Sequence, residues 1–166
     1  SMDRFDITEL IRNCVSAQDI LIKQNGIDMI FDRTDPKYVW ADEFKVEQIV
    51  SNYLSNAIHY AKNEKVVEIR LNEEENGKVR VNVFNTGDPI PKESIDKLWN
   101  KFYKVDKSHS RQYGGSGIGL SIVKAITDAF HQQCGVINHE DGVEFWFELD
   151  TNPHSDVAEV RKAQES

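Results

Sequence analysis

Asn52 and Asn56 stand one helical turn apart in "NYLSNAIHYA", residues 52–61, so on a helix they lie about 40° apart around the axis and share a face. Gln48 and His59 continue that polar line beside an apolar stripe. Asparagine is a mediocre helix former, and two in one turn of an otherwise buried helix call for a reason. Amide oxygens can ligate Mg²⁺, a hard cation that takes oxygen donors and is often shared between protein and nucleotide phosphates. A polar seam bonded to a neighbouring loop is the plain alternative. A second group lies in "VFNTGDPIP", residues 83–91, where Asn85 offers one acceptor and two donors at the end of a strand and Gly87 marks a tight turn. That is the equipment base recognition needs, although as a turn signal it is commonplace.

The third group is "RQYGGSGIGLSIVK", residues 111–124, which holds four of the chain's nine glycines. The spacing matches neither G-x-G-x-x-G after a strand nor G-x-x-x-x-G-K-[ST]. Gly115, Gly117 and Gly119 would still let successive backbone N–H groups turn towards an anion at a helix N-terminus. A flexible hinge before a helix remains the alternative. Directly upstream, residues 97–113 carry Lys97, Lys101, Lys104, Lys107 and Arg111 against a single acid, Asp106, within a chain of net charge −8. A basic island in an acidic chain suits a small polyanion, whereas the overall charge argues against a nucleic-acid surface.

The elements that must position these groups follow from periodicity. A strand is predicted over residues 3–7, a helix that starts with the cap-type residue Thr8 and runs to residue 24, strands in "GIDMIFD" and "YVWAD", and a long helix from Asp42, which can cap it. Its expected apolar stripe is Phe44, Ile49, Val50, Tyr53, Leu54, Ala57, Ile58 and Ala61. A hairpin of "VVEIRLN" and "KVRVNVFN" turns at Gly77. The stretch 86–116 holds a short "ESIDKLW" helix and otherwise reads as a lid, expected to be mobile without ligand. A helix over 117–131, with Ile118, Ile122, Val123, Ile126 and Phe130 on one face, and a closing hairpin, "CGVINHE" and "GVEFWFELD", complete the domain. With 166 residues, 39% of them hydrophobic, the chain reads as one domain over 3–150 with a polar, disordered tail over 151–166. Residues 1–2 read as a cloning remnant, so the chain is expected to be part of a longer protein. Two cysteines far apart and no long apolar run predict a reducing, cytoplasmic setting.

Together and in this order, these stretches resemble the catalytic ATP-binding domain of sensor histidine kinases, within the group that includes gyrase, heat-shock chaperone and mismatch-repair ATPases. "NYLSNAIHYA" resembles the family's N box, "NTGDPIP" its first glycine box, "LWNKFYKVD" its F box and "GGSGIGL" its second glycine box. The resemblance covers roughly residues 3–150 and implies an α+β fold, a two-layer sandwich of a mixed sheet on three helices with a long ATP lid. It implies ATP and Mg²⁺ as ligands, with Asn56 on the metal and Asn52, Asn56 and Lys104 as the catalytic set. Asn56, His59, Tyr60, Asn85, Gly87, Ile90, Tyr103, Lys104, Gly115, Ser116, Gly117, Ile118, Gly119 and Leu120 would surround the nucleotide. In that scheme Asn85 binds the exocyclic amine of adenine, Lys104 takes the place of a γ-phosphate arginine, and Phe102 and Tyr103 anchor the lid.

Three residues depart from the family pattern. Asn85 replaces an aspartate, His59 replaces a lysine, and Glu144 stands where a small hydroxyl residue is common. Asn52 occupies the place where related ATPases carry a water-activating glutamate. A neutral amide is a poor base, which favours phosphoryl transfer over hydrolysis. None of the histidines at 59, 109, 131, 139 and 154 lies in an acceptor helix of the family kind. The resemblance therefore implies a monomeric donor module whose acceptor histidine lies on a separate dimerisation domain of a membrane-anchored parent, which in turn serves a response regulator. A serine kinase of the anti-sigma type and a degenerate module that binds nucleotide only to signal by shape remain alternatives.

Overall fold

The structure, a computed structural model, describes residues 1–101, 103 and 119–152. Among them the elements run β1 (Asp3–Asp6), α1 (Ile7–Ala17), α2 (Asp19–Gln24), β2 (Asp28–Ile30), β3 (Tyr38–Ala41), α3 (Glu43–Tyr60), β4 (Val66–Glu73), β5 (Lys78–Thr86), α4 (Lys92–Ile95), α5 (Gly119–Ala129), β6 (Cys134–Asn138) and β7 (Gly142–Asp150). The strands form one mixed sheet in the order β1-β3-β7-β5-β4-β2, with β6 beside β7. Only β2 and β4 pair parallel; the other pairs are antiparallel. The result is the α+β architecture expected, with helices on one face.

That face is written by alternation. On β5 and β7, Val79, Val81, Val83 and Asn85 face Leu149, Phe147, Phe145 and Val143 across the ladder, and all eight are buried. Tyr53 of α3 lies on them, with its ring 5.3 Å from Phe145 and 6.0 Å from Phe147, and its hydroxyl donates to the Trp146 carbonyl at 3.0 Å. The opposite face carries charge paired on itself. Arg80 stacks 3.7 Å above the Trp146 ring and pairs with Glu148 at 3.1 Å, while Lys78 pairs with Asp150 at 2.9 Å.

Several local expectations change. Asp6, not Thr8, caps α1 by accepting from the Thr8 N–H, and the Thr8 hydroxyl instead donates to the Asp35 carbonyl. The helix predicted over 8–24 breaks at Gln18, whose φ of −104° and ψ of 15° end α1 and start α2. Three successive apolar residues cannot share one helix face, so Ile22 is buried while Ile20 is 70% exposed and Leu21 is exposed. Asp42 does cap α3, accepting from the Lys45 N–H. Phe44, expected in the stripe, is 81% exposed, and Val46 starts the buried row instead. Two residues apart is roughly 200° around a helix, so the two cannot face the core together. The strand expected over 26–32 shrinks to β2. The expected helix over "ESIDKLW" is regular only in α4, after which Lys97, Leu98, Asn100 and Tyr103 each donate to the carbonyl three residues back.

Candidate functional site

α3 is the spine of the site because it is held from below by Tyr53, Leu54, Ala57 and Ile58 and leaves Asn52, Ser55, Asn56, His59 and Tyr60 half-buried on its upper edge. From residue 52 to residue 60 this edge runs about 12 Å along the axis. Its two ends meet different elements. At the Asn52 end lies the start of α5: a Cβ placed on Gly119 would sit 3.6 Å from Asn52 Oδ1. At the Tyr60 end lies Gly87, where a Cβ would come within 2.9 Å of the Tyr60 carbonyl oxygen. With φ at +149°, Gly87 adopts a backbone that other residues rarely take. The immediate reason for glycine there is the close passage of the chain leaving α3.

Asn85 is 3% exposed and faces the helices between Val67 of β4 and Val143 of β7. Its Nδ2 donates to the Thr86 carbonyl at 3.1 Å, and that same oxygen accepts from the Lys62 N–H at 2.9 Å. The Thr86 hydroxyl donates to the Lys62 carbonyl at 2.8 Å and accepts from the Val66 N–H at 3.0 Å. Thr86 is thus the knot that binds the end of β5 to the segment following α3. With one of its two N–H donors engaged in this way, the Asn85 amide is oriented so that Oδ1 is free to accept. The strand start at Gly142 packs so tightly that a Cβ there would collide with the Asn85 carbonyl oxygen.

The loop after Gly87 is pinned at three points. The Gly87 N–H donates to the Asp141 carbonyl at 3.0 Å, Asp88 pairs with Lys62 at 3.0 Å, and the Asn138 amide bonds both backbone groups of Ile90, at 2.9 and 2.8 Å. The Lys62–Asp88 pair is exposed and contributes little to stability. Further on, the Tyr103 hydroxyl donates to buried Ser94 at 2.9 Å, Leu98 is buried, and Trp99 sits edge-on to Phe145 with ring centres 6.0 Å apart. Ile90 and Leu120 are half-buried against the core.

Among the described residues, no hydrogen bond engages the side-chain amides of Asn52 or Asn56, or the His59 ring. Burial pushes the His59 pKa below its usual value, so the ring is neutral near pH 7 and cannot supply the standing charge of a lysine. Among the same residues no cluster of three His, Cys, Asp or Glu side chains suits a metal. A cation here would be held by amide oxygen together with ligand oxygens, a donor set that fits Mg²⁺.

The remaining site residues named from sequence, Lys104, Gly115, Ser116, Gly117 and Ile118, lie outside the described residues, as do Phe102, the other residues of 104–118, where the expected lid over 86–116 ends and the expected helix over 117–131 begins, and residues 153–166 of the expected tail. Three others escaped sequence reading. Thr86 and Asn138 act through hydrogen bonds between distant segments, for which the sequence has no pattern. Val143 was legible, because it shares parity with Phe145, Phe147 and Leu149. The same parity turns Glu144 to the far face, where it accepts from Asn82 at 2.8 Å and meets His139 at 2.9 Å. The Glu144 departure therefore does not touch Asn85.

Residues 41–153 match the family described as histidine kinase-, DNA gyrase B-, and HSP90-like ATPases. The chain belongs to this family. It is 37% identical over 112 residues to the probable sensor kinase SilS of Salmonella typhimurium, an alignment that spans 68% of this chain and 21% of SilS. It superposes on the catalytic domain of histidine kinase ThkA with a TM-score of 0.80 and 31% identity, over 93% of this chain and 98% of that one. ThkA has also been solved with the response regulator protein TrrA. Full-length ShkA in complex with AMPPNP gives a TM-score of 0.78 and 26% identity, over 92% of this chain and 32% of ShkA. The chain is therefore an ATP-binding catalytic domain of the sensor-histidine-kinase type. It spans about a fifth of the length of the curated sensor kinases it matches. No helix among the described residues is long and apolar enough to cross a membrane.

Proposed function

We propose that this domain binds Mg·ATP along the upper edge of α3, with adenine at the Asn85 end and the phosphates at the Asn52 end, and donates the γ-phosphoryl to a histidine on a separate dimerisation domain. The observation that carries this reading is the polar edge itself. One helix lays Asn52, Asn56 and His59 in line between the start of α5 and the strand end at Asn85. Asn85 Oδ1 accepts from the exocyclic amine, Gly87 and Ile90 form the wall beside the base, and Tyr60 packs near it. Asn56 would hold Mg²⁺, which would supply charge neutralisation at the phosphates, and neutral His59 would offer a hydrogen bond. Lys104, Tyr103, Gly115, Ser116, Gly117, Ile118, Gly119 and Leu120 complete the phosphate side in this proposal.

In the transfer, a neutral imidazole nitrogen of the acceptor forms the new bond to the γ-phosphorus. The bond to the bridging oxygen breaks, ADP leaves, and the imidazole gives up its remaining proton to solvent. No protein base is required, so Asn52 can be an amide, and catalysis rests on positioning and charge neutralisation. The acceptor domain belongs to the same parent protein and in turn serves a response regulator, a reading supported by histidine kinase ThkA having been solved in complex with the response regulator protein TrrA. Calorimetric titration with ATP, with and without Mg²⁺, tests the binding half. Transfer from labelled ATP to a supplied acceptor domain tests the chemistry. Binding without transfer to any acceptor domain would leave the degenerate signalling module in place of the kinase.

A further inference from the structure

Ile90 lies between Pro89 and Pro91. Neither proline has a backbone N–H, and a residue preceding proline is held to extended conformations. Ile90 is therefore the one donor in this stretch, and its extended backbone presents an N–H and a carbonyl as a strand would to a partner. Among the described residues its backbone is paired in no strand ladder. Asn138, the last residue of β6, takes that role with a side chain: Oδ1 accepts from the Ile90 N–H at 2.9 Å, and Nδ2 donates to the Ile90 carbonyl at 2.8 Å. A terminal amide carries a donor and an acceptor in one plane, the complement of a peptide's two groups, and among short side chains only asparagine does.

We infer that Asn138 is a positioning residue for nucleotide binding: it acts as a one-residue surrogate strand that sets the height of the Ile90 wall against the base. The inference rests on the reading of Ile90 as part of that wall. Geometry favours a positional over a purely structural role. Asn138 is exposed, so it buries little area, and both of its side-chain hydrogen bonds go to one residue, Ile90, which the proposed function places in the wall beside the base. The Gly87 N–H bond to Asp141 holds the other end of the same loop to the same hairpin. Loop 87–91 is thus borne by the β6–β7 hairpin, and Asn138 governs its distal half.

The test compares wild type, Asn138→Ala, Asn138→Asp, Ile90→Ala and the double variant Asn138→Ala/Ile90→Ala by calorimetric titration with ATP, with ADP and with inorganic triphosphate. Asn138→Ala is expected to weaken ATP and ADP by the same factor, roughly fivefold for two neutral hydrogen bonds lost at an exposed position, and to leave triphosphate unchanged. Asn138→Asp keeps an acceptor for the Ile90 N–H and should fall between the two. In the double variant the losses should not add, since Asn138 works through Ile90. Equal ATP affinity in wild type and Asn138→Ala, or fully additive losses, would overturn the inference while leaving the nucleotide reading intact. A wild type that binds no adenine nucleotide overturns both. Should Asn138→Ala fail to fold, Asn138→Asp alone decides, and an affinity equal to wild type in that variant overturns the inference.

Discussion

At the strand end beside Tyr60 the polar groups are bonded within the protein, whereas those of Asn52, Asn56 and His59 along the half-buried edge of α3 are not. The Asn85 amide, both oxygens of Thr86 and the Gly87 N–H all have partners at 2.8–3.1 Å. The side chains of Asn52, Asn56 and His59 have none among the described residues. The first region is preset: its hydrogen bonds fix which atom faces a ligand before the ligand arrives, so recognition there costs little reorganisation. The second keeps polar side chains whose partners come with the ligand, which suits a site that must hold phosphates and a cation only transiently. A rigid end suits discrimination between bases, and an adaptable end suits a group that is transferred.

The comparison is broken most severely at Asn56. Asn56→Ala is expected to lose roughly 1.5–3 kcal/mol of Mg·ATP affinity, the range for a hydrogen bond to a charged group, with an unchanged denaturation midpoint. Calorimetry with and without Mg²⁺ reads this, and normal Mg·ATP binding by the variant would remove Asn56 from the metal. Asn85→Ala should cost about 1–3 kcal/mol of ATP affinity, because a buried polar group of the base is left unpaired. Competition of ATP and GTP against a fluorescent analogue adds a sharper point. The bond to the Thr86 carbonyl already sets the orientation of the amide, so the wild type should prefer ATP, and Asn85→Asp should alter the ATP/GTP ratio little. A wild type that binds GTP as well as ATP would show that the amide turns over freely.

Gly87→Ala attacks the preset end through its backbone. A Cβ 2.9 Å from the Tyr60 carbonyl, at a φ of +149°, should cost about 1–3 kcal/mol of stability. Urea unfolding measures it, and a midpoint equal to wild type would mean that the loop relaxes without strain.

The smallest effect should be at His59. Burial lowers its folded pKa, so between that value and the unfolded value, about 6.5, the unfolded chain binds more protons than the folded one. The stability contributed by the neutral buried ring is thus full above pH ~6.5 and declines as pH falls below it. A nearby triphosphate reverses the preference for the neutral form, so ATP affinity should rise as pH drops through the same window. His59→Gln should flatten this dependence by a few-fold relative to wild type. Comparing the two variants at each pH cancels the protonation of ATP itself, and identical pH profiles would place His59 away from the phosphates.

The order of elements, the inward parity of β5 and β7 and the polar edge of α3 were all set by the sequence, because period 2 and period 3.6 are local properties that apolar burial enforces. The same local rules misplaced Phe44 and Thr8. An apolar residue near a helix start and a hydroxyl beside a capping carboxylate each satisfy the pattern, and only packing chooses between candidates. Asn85 could be named from sequence, yet which end of its amide faces the ligand could not. That choice belongs to Thr86 and Lys62, brought beside it by the sheet. Asn138 was invisible for the same reason: its two bonds span 48 positions of chain. Sequence determined which groups this protein could use. Tertiary structure decided their orientation, because a hydrogen bond between distant segments depends on where the fold puts its donor and acceptor, and no spacing along the chain encodes that.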